Sequence, residues 1–480
     1  MATSSKIRSY ERENLKRDLR SRHLRMIAIG GAIGTGLFYG SASAIQEAGP
    51  AIILVYLVTA GVIYLVMRAL GEMAVEEPVS GAWVSYSNRY IHRFVGFLNG
   101  WNVFIFLLAT IGADLNALGR YVHFWLPGVP IWVTAACTVA LIFSVNVIGV
   151  RFYGETEFWL SMVKVVAIIA MIAFGALMVF FGVGHRGEPV GLGNLVDHGG
   201  FFPHGISGTI LSVVMVAFAF GGVENLALAA GEAKDVEKDV PKAINTTFWR
   251  LLIFYVLAIT VLVSIFPWTS LTGDSSPFVE VFASIGIPAA ATIMNVVVIT
   301  AVLSAINSTV FSDTRIIYNL SLQGNAPSIL SKVNRNSVPS TATLLVFVIM
   351  IGSVGLNVVM PDRAFEVFAS VTVFGLVCIW TSILVSHLNF RKARAADGSL
   401  ERIRYRMPFS PYSNYLALAL LVLVIVCIAF LPNMRISLLV SAIWGAVVYV
   451  AYRIYIRRPA PSGADDPTDE RVMAQDAASS

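Results

Sequence analysis

Twelve apolar stretches, each long enough to cross a bilayer and separated by short polar connections, constrain this chain more than any other feature. About 20 apolar residues in a helix span the roughly 30 Å of hydrocarbon. Lipid offers a peptide group no hydrogen bond, so each stretch must satisfy its own backbone, and a helix does so. The stretches fall near residues 24–46, 50–72, 94–124, 130–150, 157–182, 206–231, 244–267, 279–311, 340–359, 363–390, 412–431 and 434–456. Composition agrees, because the 480 residues are 56% hydrophobic and 13% charged with a mean hydropathy of +0.74, far from the balance of a soluble domain. The expected fold is an all-α membrane protein with twelve transmembrane helices.

The net charge of +5 follows from topology and gives no reason to expect a nucleic-acid partner. Lys and Arg gather on alternate connections: Lys6 to Arg25 in the N-terminal tail, Arg89 and Arg93, Arg151, Lys234 to Lys242, Lys332 and Arg335, Arg391 to Arg406, and Arg453 to Arg458. The intervening connections hold little beyond Arg186, Arg363 and Arg435. The positive-inside rule then puts both termini in the cytoplasm of a cell whose plasma membrane the chain crosses. Residues 1–23 form a cytoplasmic tail without a signal-peptide cleavage site, and 459–480, rich in Pro, Ser, Ala and Asp, read as a disordered cytoplasmic tail. Cys137, Cys378 and Cys427 stand alone in apolar helices, so neither a disulfide framework nor a metal site is expected, and no motif for a cofactor occurs.

Two of the stretches are interrupted at their middles by glycine. Gly30-Gly31-Ala32-Ile33-Gly34-Thr35-Gly36 breaks the first, and Phe218-Ala219-Phe220-Gly221-Gly222-Val223-Glu224-Asn225 breaks the sixth. Non-helical backbone at membrane depth survives only where it lines a cavity, and its freed N–H and C=O groups then face a polar solute. Five helices separate the two breaks, so the sixth helix enters from the opposite face to the first. A ten-helix core over 24–390 follows, made of two repeats of inverted topology at 24–182 and 206–390, with helices 11 and 12 (412–456) outside it.

Several segments match a known pattern in order. Ser21-Arg22-His23 precedes GAIGTGLFYGSASAI (31–45), followed by Glu47-Ala48-Gly49-Pro50 and MRALGEMAV (67–75). Then come YGETEFWLSMVKV (153–165), AFAFGGVENLALAAGEAKDVEKDVPKAI (217–244) and LSAINSTVF (303–311). On these residues the chain resembles, over nearly its whole length, the amino acid–polyamine–organocation superfamily and within it the amino acid transporter family of proton-coupled permeases. LFYGSASAI, ADLNALGRYVHFW (113–125), SPFV (276–279) and RISL (435–438) bring it nearest to the proline-specific and histidine permeases.

A zwitterionic amino acid carries a carboxylate and an ammonium, and a broken helix presents a positive end to one and free carbonyls to the other. The resemblance implies that Gly34, Thr35 and Gly36 bind the carboxylate, while the carbonyls of Ala32, Phe218 and Gly221 hold the amine. The plainer alternative is that these glycines only permit close helix packing. Phe218 and Phe220, two residues apart, point different ways; the resemblance implies that an aromatic at Phe218 closes over the substrate, with Phe220 the weaker candidate, and ordinary packing is the alternative for both. Asp114, Lys164 and Glu224 lie inside apolar helices, where each costs roughly 2.5–3.5 kcal/mol at a helix centre and is a functional candidate for that reason. In similar proton-coupled relatives a lysine at the position of Lys164 takes the place of a sodium ion. The alternative is a lysine snorkelling to the membrane face, only about two turns past Glu157. The counterpart of Glu224 is associated with proton sensing, whereas Asp114 stands where the wider family has glutamate, and it could bind substrate, titrate or pair with Arg120. Ser304, Asn307 and Ser308 on helix 8 offer polar groups to the same cavity by analogy. The acidic and basic residues from Glu232 to Lys242 read as a cytoplasmic loop, with Pro241 in the first turn of helix 7.

The expectation is thus a secondary transporter, not an enzyme, that imports an amino acid with a proton by alternating access, proline being the first candidate and histidine, aromatic amino acids and 4-aminobutyrate the next. An exchanger or facilitator of the same fold is one alternative, and an amino acid-sensing receptor is another. Its partners are the amino acid, protons and the lipid bilayer; the sequence is silent on oligomeric state.

Overall fold

The computed structural model describes residues 34–79, 82–148, 150–184, 187–225, 236–271, 276–284, 288–334 and 338–456. The expectations for both tails, for the first half of helix 1 including Ala32, and for the loop residues Glu232 to Asp235 lie outside the described residues. In chain order the elements are α1 (Thr35–Phe38), α2 (Gly40–Ala48), α3 (Ile52–Glu76), α4 (Ala82–Tyr90), α5 (Arg93–His123), α6 (Ile131–Ile148), α7 (Val150–Phe181), α8 (Gly205–Leu211) and α9 (Val213–Ala219). They continue with α10 (Val236–Leu252), α11 (Ala258–Ile265), α12 (Pro277–Ser284), α13 (Pro288–Leu322), α14 (Ser340–Val359), α15 (Ala364–Ala396), α16 (Tyr412–Phe430) and α17 (Ile436–Ile456).

Among the described residues, nine helices are long and apolar enough to cross a membrane, and Ile131–Asn146 and Gly205–Ala219 are shorter apolar helices. The difference from the expected twelve has local causes. The second half of helix 1 and helix 2 count as one helix, Gly40–Glu76, although Gly49 divides it with a φ of +61°, outside the right-handed α region. The sixth stretch stops at Ala219 because the glycine break intervenes. The surface suits a lipid solvent: Trp132, Ile169, Phe180, Ile351 and Ile443 are exposed, while Glu72, Asp114, Glu157, Lys164, Glu224 and Asp313 are buried. That inverts the usual distribution of a water-soluble protein.

Three boundaries correct the sequence reading. Helix 7 begins by Val236, so Pro241 stands inside the helix and not in a loop or first turn. Its ring forfeits the bond to the Glu237 carbonyl one turn earlier, and Glu237 and Asp239 in the first turn complement the helix dipole. The eighth stretch is described as α12 (Pro277–Ser284) and α13 (Pro288–Leu322), and residues 285–287 between them lie outside the described residues. Both α13 and α15 outrun their apolar cores, to Leu322 and Ala396, since a helix continues into water wherever polar residues sustain it.

The core sits where α5 crosses α15 and α13, with α7 on the far side of α13. Small residues set the spacing of the first crossing. A Cβ on Gly375 would lie 2.6 Å from the Cβ of Phe106, and one on Gly112 2.7 Å from the ring of Phe368; Asn102 Nδ2 donates to the Gly375 carbonyl at 2.9 Å. Close backbone approach and an interhelical hydrogen bond are the means by which helices associate without a hydrophobic drive between them. Against this scaffold α9 packs on α1, α2, α3 and α15, which brings the two glycine segments together.

Candidate functional site

The first half of the site is the turn at Gly34. Its backbone is extended (φ −136°, ψ −156°) and its carbonyl accepts the Leu37 and Phe38 N–H groups at 3.2 and 3.3 Å. Helix α1 therefore starts inside the molecule, with Thr35, Gly36, Leu37 and Phe38 all buried. Ahead of Leu37 and Phe38, the Thr35 and Gly36 N–H groups have no carbonyl within their own helix. A Cβ on Gly36 would lie 2.4 Å from the Cα of Ala219, whereas one on Gly34 would make ordinary contact with Ala305 at 3.5 Å. Gly36 is thus the point where the two interrupted segments touch.

The second half is the end of α9. Phe220 N–H donates to the Ala217 carbonyl and Gly221 N–H to the Phe218 carbonyl, both at 3.2 Å, so the helix tightens before it stops. Gly222 follows at φ +94°, a conformation that favours glycine. The Ala219 carbonyl accepts the Tyr255 hydroxyl at 2.8 Å. Tyr255 lies in a π-helical turn, Ile253–Leu257, between α10 and α11, and such turns are frequent at functional sites. Glu224 beyond the break is fully buried. One of its oxygens accepts the Gly222 N–H at 3.2 Å and the other the Trp380 indole N–H at 3.3 Å.

The ionisable residues form a buried chain across four helices. The Thr35 hydroxyl donates to Oδ1 of Asp114 on α5, which joins the turn of helix 1 to the scaffold. Arg120 instead reaches Asp362 at 3.5 Å and the side-chain carbonyl of Asn116 at 3.4 Å, so the Asp114–Arg120 pairing is not made. Lys164 on α7 has no solvent exposure and its Nζ donates to Ser304 Oγ on α13 at 2.9 Å, which overturns the snorkelling alternative. Ser304 in turn donates to Glu157 Oε1 at 2.5 Å, and Ser161 donates to the same oxygen at 3.0 Å. Asp114 and Glu157 both act electrostatically on the Lys164 ammonium. Asn307, one turn beyond Ser304, accepts from Asn146 Nδ2 at 3.1 Å, and its own Nδ2 has no partner among the described residues.

The two phenylalanines face opposite ways. Phe218 meets Phe365 edge-on at 5.8 Å, Phe365 meets Tyr39 at 4.5 Å, and Tyr39 meets Tyr121 at 6.0 Å. That aromatic cluster caps the side of the break toward α2. Phe220 packs on Tyr255 at 4.9 Å and Tyr56 at 6.1 Å, toward α3 and α11. The structure thus brings Gly34, Thr35, Gly36, Asp114, Phe218 and Gly221 around one junction, with Lys164, Ser304 and Asn307 beside it and Glu224 behind the break. Sequence reasoning missed Glu157, Trp380 and Tyr255. Glu157 was within reach, because seven residues separate it from Lys164 and two turns return to one helix face; the π-helical register that aims Tyr255 carries no such signal.

Known proteins are similar to this chain along nearly its whole length. The profile of the family described as amino acid permease matches residues 23–463. The uncharacterized amino acid permease YtnA of Bacillus subtilis is 41% identical over 442 residues, which covers 92% of this chain and 95% of that protein. The aromatic amino acid transport protein AroP of Escherichia coli K12 is 40% identical over 440 residues, covering 92% of this chain and 95% of its own. The probable threonine/serine transporter YbxG of Bacillus subtilis is 41% identical over 443 residues, covering 92% and 96%. With an apolar helical fold, a profile match over nearly its full length and relatives at this identity, the chain is an integral, multi-pass membrane protein and belongs to the amino acid permease family of the amino acid–polyamine–organocation superfamily.

Proposed function

We propose that this permease imports an amino acid together with a proton through alternating access, with both termini in the cytoplasm and the two glycine breaks forming the substrate site. The observation that carries this reading is Lys164. A fully buried ammonium held between Ser304 and two carboxylates supplies a fixed positive charge at the place where the resemblance puts a sodium ion in sodium-coupled cousins, and losing or regaining its proton replaces ion binding. Thr35 and the first-turn N–H groups receive the substrate carboxylate, the carbonyls of Phe218 and Gly221 receive the ammonium together with that of Ala32, and Phe218 with Phe365 and Tyr39 closes the outer side. Asp114 and Glu224 take part in proton coupling, the first through Thr35 and the second through the backbone of Gly222. Helices 1–5 and 6–10 act as inverted repeats, the broken pair and their partners rocking against α5 and α13.

Proline is the first substrate to test, on the resemblance of LFYGSASAI, SPFV and RISL; aromatic amino acids, threonine and serine join it because the similar proteins AroP and YbxG are named for transporting them, with histidine and 4-aminobutyrate behind. The test is uptake of radiolabelled amino acids into proteoliposomes under an imposed inward proton gradient and again after its collapse. Gradient-dependent accumulation that Lys164→Ala abolishes is the expected result. Uptake indifferent to the gradient but dependent on internal amino acid would mean an exchanger, and binding without uptake a receptor.

A further inference from the structure

A second carboxylate closes the Lys164 network, and the proton-coupled reading gives it no part in carrying the proton. Glu157 is fully buried. One of its oxygens takes two hydroxyl hydrogen bonds, from Ser304 at 2.5 Å and Ser161 at 3.0 Å, while Oε2 has no partner among the described residues. A buried carboxylate with an open oxygen is costly, and such a group is kept where it serves a purpose. The hydrogen bonds also have one direction. Lys164 Nζ donates to Ser304 Oγ, and Ser304 Oγ donates to Glu157 Oε1, so a single hydroxyl links the ammonium to the carboxylate without an intervening water.

We propose that Glu157 is the inner proton carrier of this transporter, receiving through Ser304 the proton that Lys164 gives up. Ser304 passes its hydroxyl proton to Oε1 of Glu157 while taking one from Nζ of Lys164. One N–H and one O–H bond break, an O–H bond forms on each of Glu157 and Ser304, and the products are a neutral amine, the restored serine and a carboxylic acid. No co-reactant is needed. Opposite charges vanish together, so the transfer leaves no new charge in the low-dielectric interior. Glu157 precedes Lys164 by seven residues of one helix, about 10 Å along its axis, on the side of the Arg151 connection that the positive-inside rule puts in the cytoplasm. The charged groups facing the lysine are then ordered along the pathway, with Asp114 on the Thr35 side and Glu157 on the inner side.

This inference rests on the proton-coupled reading, and one experiment separates the two. Purified full-length protein in proteoliposomes with a trapped pH dye reports substrate accumulation, proton entry and counterflow exchange together. Wild type is expected to accumulate substrate on a proton gradient, and Glu157→Gln to lose accumulation and dye response while retaining counterflow. Ser304→Thr, which keeps a hydroxyl, is expected to accumulate, and Ser304→Ala to lose the gradient-driven part. Undiminished accumulation by Glu157→Gln would overturn the relay and leave symport standing, as would loss of counterflow with accumulation, which would assign Glu157 to packing. A wild type that ignores the gradient would overturn the proton reading itself.

Discussion

At the scale of single residues, the junction of the two breaks turns on the absence of one carbon atom. A side chain at Gly36 collides with the backbone of Ala219, which cannot swing aside as a flexible side chain does, while Gly34 has room for a methyl group at 3.5 Å from Ala305. The two substitutions therefore separate packing from backbone geometry. Gly36→Ala is expected to lower stability by about 1–3 kcal/mol, the usual cost of overpacking, and to abolish uptake, whereas Gly34→Ala leaves the melting temperature in detergent nearly unchanged. Equal melting temperatures for the two variants would show that the contact relaxes. The glycines were legible in the sequence as interruptions; which of them touches helix 6 was not, because contact between segments 183 residues apart depends on how α5, α13 and α15 set the spacing. Asp114, Lys164 and Glu224 were legible for a different reason, since charge inside an apolar run stands out. Glu157 shares a helix face with Lys164 in the sequence, but a glutamate near a helix end ordinarily reaches water, and its burial comes from the fold.

Between residue and whole molecule lies the broken element itself. A helix that stops at membrane depth must find partners for its last carbonyls, and here one partner comes from another irregularity, since the π-helical turn Ile253–Leu257 delivers the Tyr255 hydroxyl to the Ala219 carbonyl. Tyr255→Phe keeps the ring against Phe220 and Tyr56 but removes the donor. The expected cost is about 1–3 kcal/mol for a buried carbonyl left unpaired, and the amides of residues 213–225 should exchange with deuterium faster while those of α5 stay protected. Unchanged exchange would mean that the carbonyl finds another donor. Hydropathy located these elements because it responds to apolar length; it put Pro241 no deeper than the first turn of helix 7, because a proline tolerated inside a helix does not alter the count of apolar residues. It was equally blind to α4, whose mixed face lies between helices 2 and 3.

Over the whole molecule, the connection between α15 and α16 works as a strap across the end of α3. Arg391 Nη1 lies 3.3 Å from Glu72 Oε1, His387 Nε2 lies 3.1 Å from its Oε2, and the Met407 N–H donates to the same carboxylate at 2.5 Å. Around this centre Arg68 stacks 3.8 Å over Tyr405 and donates to the Arg406 carbonyl, Arg404 pairs with Glu237 at the start of α10, and Arg394 meets Glu77 at 3.1 Å. Helices 2 and 7 are thus tied to helix 10 at one end of the bundle, the end rich in Arg and Lys. Glu72 is fully buried and the Arg391 side chain is 19% exposed, so breaking the pair should cost more than the roughly 1 kcal/mol of a surface bridge and less than the 3–5 kcal/mol of a fully buried one. Arg391→Met strands the Glu72 charge and is expected to lower the melting temperature; Glu72→Met together with Arg391→Met removes that charge and should recover at least half of the loss. If the two effects simply add, the strap is held by Met407, Tyr405 and their packing, and the ion pair contributes orientation without stability.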